Sequence, residues 1–71
     1  MKPMWLVKAE EEQKELAGRA KSLKEALSRK EFVKQMTTDD LADLCYQEVA
    51  MHNYNAALSR RIKRNGGTVC E

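Results

Sequence analysis

Between Met4 and Arg64 the chain holds no proline and one glycine, Gly18; Pro3 stands before that stretch and Gly66–Gly67 after it. Proline and glycine are the strongest local interrupters of regular backbone, so almost the whole chain is free to be helix. Val7, Val33, Val49 and Ile62 are isolated, and no run alternates apolar with polar residues as a half-buried strand would. The expectation is an all-α protein.

Pro3 suits the first turn of a helix. Behind it, Leu6, Ala9, Leu16, Ala20, Leu23 and Leu27 recur at alternating steps of three and four, with Gln13 at the one polar step. That spacing is the mark of a coiled-coil seam. Glu10–Lys14, Glu15–Arg19 and Glu25–Arg29 stand in the favourable i,i+4 order, each adding about 0.2–0.5 kcal/mol. Gly18 costs about 1 kcal/mol against alanine, and either close approach of another helix or a surface accident would account for it. Ser28-Arg29-Lys30-Glu31 has the form of a capping box. It predicts a break and a short helical piece whose Phe32, Val33 and Met36 plug one end of the fold; an unbroken first helix to Gln35 is the alternative.

Thr37-Thr38-Asp39-Asp40 is the clearest helix start, with hydroxyls to cap and acids where the dipole favours them. The second long helix should run to Arg64 and stop at Asn65-Gly66-Gly67, with Arg60, Arg61, Lys63 and Arg64 in its last turn. Residues 1–67 then form a single domain and residues 68–71 a flexible tail. Two helices of about 25 residues, about 38 Å each, joined by a short capped helical turn, predict an antiparallel helical hairpin.

A chain of 71 residues buries only about 60% of the surface its unfolded form exposes. Chains of this size usually need disulfides, a metal or association. Cys45 lies inside a helical pattern and Cys70 beyond the glycines, so the pair makes a poor staple; one histidine and two distant cysteines are too few for zinc. Association is what remains, and a homo-oligomeric helical bundle is expected. The first residues, Met1 to Val7, read as no signal peptide, and no apolar run approaches the ~20 residues of a membrane span. The expectation is a cytoplasmic protein with no membrane partner. A net charge of +2 is too mild to force a nucleic-acid reading.

In heptads the second helix has one column at Leu41, Glu48, Asn55 and Ile62, and another at Leu44, Met51 and Leu58. A third column holds Asp40, Gln47, Tyr54 and Arg61. Polar groups in an apolar stripe need partners. They can fix register and copy number across a helix interface, or line a pocket between subunits, with Tyr54 stacking on a flat ligand and Arg61 meeting an anion, or simply face water. The cluster Arg60, Arg61, Lys63 and Arg64 serves the helix dipole and solubility, or phosphate contact. Trp5 should lie near Ile62 and this basic turn, as packing or as a platform for a base. His52 has no catalytic partner beside it, and no enzyme, cofactor or metal is expected. Cys45 reads as a small buried hydrophobe.

The series Leu44-x2-Gln47-x2-Ala50-Met51-x2-Tyr54-x3-Leu58-x2-Arg61-Ile62, preceded by Phe32 and a capped turn, resembles a group of small phage and prophage proteins over positions 23 to 62. The resemblance implies a viral accessory protein acting in the host cytoplasm. Small helical phage proteins of this size include oligomeric sponges for cyclic-nucleotide alarm signals. The leading expectation is therefore an anti-defence protein that sequesters a small anionic signal at subunit interfaces, with Tyr54, Arg61, Gln47 and Asn55 as the ligand residues and Arg60, Arg64 and Trp5 beside them. The alternatives are an inhibitor or adaptor that presents a helical face to a host defence protein, and a weak nucleic-acid binder acting through the basic turn.

Overall fold

A computed structural model describes residues 1–70, which form three helices and, among the described residues, no strand: α1 (Met4–Leu27), α2 (Lys30–Lys34) and α3 (Thr38–Arg64). Pro3 caps α1 with an extended backbone, and its carbonyl accepts from the amides of Leu6 and Val7. At the start of α3 the Thr37 hydroxyl accepts from the Asp40 amide at 3.1 Å, with Asp39 and Asp40 in the first turn. Its other end closes as a Schellman turn. Gly66 takes φ 79°, a left-handed conformation that favours glycine; its amide meets the Lys63 carbonyl and the Gly67 amide meets that of Ile62.

The break after α1 is made differently from the capping box expected at Ser28 and Glu31. Ser28 keeps right-handed helical dihedrals, and its hydroxyl donates back to the Glu25 carbonyl at 2.6 Å. Arg29 instead turns extended to start α2, without a side-chain cap. A residue that prolongs one helix cannot also supply the extended backbone a cap requires.

α1 packs chiefly on α3. Leu6 meets Leu58 and Ile62, while Gln13 meets Asn55, so the contact partner on α3 recedes as the position on α1 advances. Carried on, that register puts Ala20 level with Glu48 and Leu27 level with Leu41. Packing is uneven along it. Leu6, Gln13, Leu16, Leu58 and Ile62 are buried, whereas Leu23, Leu27, Leu41, Leu44 and Met51 are only half-buried. α2 buries no residue and Phe32 stays 37% exposed, so the expected plug is incomplete within one copy. No described helix is long and apolar enough to cross a membrane.

Beyond the Schellman turn the chain doubles back along α1. Gly67 sits so close to the core that a Cβ there would lie 2.6 Å from Ile62 Cγ2 and 3.0 Å from Leu6 Cδ1. The Thr68 amide donates to Glu10 Oε2 at 2.6 Å. Two residues on, the Cys70 amide donates to Gln13 Oε1 at 2.8 Å, and Gln13 Nε2 donates to the Cys70 carbonyl at 2.7 Å. Where a loose tail is expected from sequence, residues 68–70 are thus held by three backbone hydrogen bonds. Residue 71, the last of that tail, lies outside the described residues.

Candidate ligand-binding site

Two flanks of the α1–α3 seam gather charged and aromatic side chains. On one, the Arg61 guanidinium lies over the Trp5 ring, 5.9 Å from its centroid, a cation–π separation. One heptad further, Tyr54 of α3 faces Glu12 of α1. The Glu12 carboxylate beside its hydroxyl, helped by lost hydration, raises the Tyr54 pKa above the ordinary phenol value, while the positive Arg61 opposes that rise. Gln47 continues this column and is exposed. Trp5, Tyr54, Arg61 and Gln47 therefore share one open face, which also includes an acid.

Asn55 is placed elsewhere. It is half-buried in the seam and accepts from Gln13 Nε2 at 2.9 Å. The fully buried Gln13 thus uses its amide nitrogen twice and its oxygen once, satisfying every buried side-chain polar atom described. Arg60 and Arg64 point away from both flanks of the seam, on the outward side of α3, and are exposed.

The opposite flank holds a groove of about 550 Å³ that sequence reading does not single out. On the α1 side it is lined by the small residues Ala17, Gly18 and Ala20 together with Lys14, Lys21 and Lys24, on the α3 side by Glu48 and His52, and Cys70 of the folded-back tail lies at it too. Gly18 has no atom within 4 Å of where its Cβ would stand, so the glycine deepens the groove rather than admitting another part of this chain. Three lysines against one glutamate, beside small residues that leave room for a ring, suit a flat, anionic molecule whose phosphate or carboxylate the lysines can meet. Sequence alone does not single out these lysines, because exposed lysines on a helix ordinarily mean a solvated face. The signal available was their spacing, with Lys14 and Lys21 one heptad apart beside a run of small residues.

Among the described residues no three His, Cys, Asp or Glu side chains converge as a metal site needs. Cys45 and Cys70 are free and exposed, so Cys45 is not the buried hydrophobe its helical position suggests. The core seam faces α1, and Cys45 falls outside it.

Glu10 anchors the base of the tail. Lys2 Nζ lies 2.7 Å from its carboxylate, and this hydrogen bond, followed by that from the Thr68 amide, holds the Glu10 pKa below the ordinary carboxylate value.

No curated protein and no solved structure matches the chain. The Sequestin family model matches residues 3–64, which takes in all three helices and both flanks of the seam, and the chain belongs to the Sequestin family.

Proposed function

We propose that this protein is a binding protein that captures and withholds a small anionic molecule, and that it catalyses nothing. The family's name speaks of sequestration. The observation that carries the reading is the groove between α1 and α3, lined by Lys14, Lys21 and Lys24 together with the small residues Ala17, Gly18 and Ala20. Such a groove supplies positive charge and room for a ring, and Glu48 and His52 on its α3 side can hydrogen-bond what it holds.

The finer reading is an antiparallel helical hairpin that works as a homo-oligomer, serving a phage as an anti-defence sponge, with a cyclic nucleotide as ligand. Ring and phosphate in one compact molecule fit a groove lined by small residues and three lysines. Trp5, Tyr54 and Arg61 on the other flank offer an aromatic platform beside a guanidinium. The unevenly buried seam, with five half-buried apolar side chains, favours association.

The test is a titration of the purified protein with a panel of cyclic mono-, di- and trinucleotides, read by calorimetry and by the shift in melting temperature. At least one should raise the melting temperature. Changing Lys14, Lys21 and Lys24 together to glutamine should weaken its binding by 100-fold or more, since a hydrogen bond to a charged group contributes about 1.5–3 kcal/mol. A panel with no binder would refute the cyclic-nucleotide reading. A binder indifferent to the lysines but lost in Arg61→Gln would move the site to the Trp5 flank.

A further inference from the structure

We propose that α3 carries a second helix seam on its outward face, and that α3 of a second copy fills it, antiparallel across a twofold axis. The proposal rests on the assembly part of the reading above and not on its ligand.

The inward face of α3 is used by α1 through the columns of Leu58 and Ile62. The outward face has its own heptad pattern. One column reads Asp39, Tyr46, Asn53 and Arg60; its neighbour reads Asp43, Ala50, Ala57 and Arg64. Together they step by four and three along the helix, the spacing of a coiled-coil contact line, and all eight residues are exposed. Tyr46 is 77% exposed and Val49, beside the line, 52%. With Ala42 and Cys45 these two line a shallow, largely apolar depression.

The chemistry of the line selects its partner. Each column begins with an aspartate and ends with an arginine, and its middle holds no charge. A parallel copy would set acid on acid and base on base. An antiparallel copy sets Asp39 level with Arg64 of the second copy, Asp43 with its Arg60, and Tyr46 with its Ala57, while Ala50 meets Asn53 at the centre. The register matches opposite charges at both ends and a large side chain with a small one between, and it opposes the two helix dipoles. Because the pairing is self-complementary, the same four contacts arise twice, as a twofold interface requires. Alanines at positions 50 and 57 allow the close approach this needs.

Light scattering should give the mass of two chains, or a multiple of it, for the wild-type protein at about 100 μM. Tyr46→Arg should reduce that mass to a single chain or halve it, with helix content unchanged because Tyr46 is exposed in one copy. Asp39→Arg with Asp43→Arg should weaken association at least tenfold, and adding Arg60→Asp with Arg64→Asp should restore it. A single-chain mass for the folded wild type overturns the proposal, as does a Tyr46→Arg protein of unchanged mass or a fourfold charge swap that fails to restore association. Titrating the cyclic-nucleotide panel against the wild type and Tyr46→Arg reads ligand capture separately, so loss of one property is not mistaken for loss of the other.

Discussion

The side-chain amide of Gln13 brackets Cys70, accepting from its backbone N–H and donating to its carbonyl, as a neighbouring strand would. The same nitrogen also reaches Asn55. One buried side chain thereby ties together α1, α3 and the returning tail.

Gln13→Ala removes all three bonds and empties a fully buried position. It should lower stability by about 1–3 kcal/mol, the penalty of orphaned polar groups in a partly buried site, as read by urea denaturation. Hydrogen exchange at the Cys70 amide should accelerate far more than exchange at the core Leu58 amide. Equal acceleration would mean that the tail is not held through Gln13.

Two glycines should respond to alanine in opposite ways. At Gly67 the new methyl would press on Ile62, which is fully buried and has no room to yield; stability should fall by about 1–3 kcal/mol. At Gly18 the methyl meets nothing within 4 Å, and α1 gains helix propensity, raising stability by about 0.5–1 kcal/mol. Thermal melts of both variants check the pair of signs. Gly18→Ala also adds a methyl to the groove lining, so the more stable protein should bind the proposed anionic ligand less well.

The folded Glu10 has a lowered pKa, so its contribution to tail docking is complete above the unfolded value, about 4.3, and is lost as pH falls through the lower folded value. The amide shift of Thr68, followed by NMR during acidification, should move with a midpoint below the ordinary glutamate range. Lys2→Met should bring that midpoint upward, because the largest cause of the shift is then gone.

Tyr54 should ionise above the ordinary tyrosine range, and replacing Glu12 with glutamine should bring it down by removing the main cause of the rise. Ultraviolet titration in a Tyr46→Phe background isolates the phenol. An unchanged midpoint in Glu12→Gln would mean that the two side chains do not meet across the seam.

Periodicity made the three helical segments and their seam readable, because Leu6, Ala9, Leu16, Leu58 and Ile62 repeat at coiled-coil steps. Thr37 and Gly66 marked the ends of α3 through local chemistry that needs no tertiary context. Trp5 was placed near the basic turn by the same reversal of chain direction, and it meets Arg61. The tail escaped because its partners are backbone amides reaching for Gln13 and Glu10, and side-chain patterns carry no record of such pairing. Ser28 misled because the same hydroxyl can cap forward or bond backward, and its dihedrals decide. The lysine groove escaped because it needs both helices side by side before three separate charges share one lining.

The graded burial along the seam has a kinetic consequence. Side chains near Leu6, Gln13 and Ile62 lock tightly, while those near Leu27 and Leu41 are only partly shielded. Thermal opening of a single chain should therefore start around α2 and travel toward the termini, fraying the bend before the ends. A protease that cuts near Arg29 or Lys30 would then sever the connection between two helices still clasped at their far end, and the nicked halves would stay together.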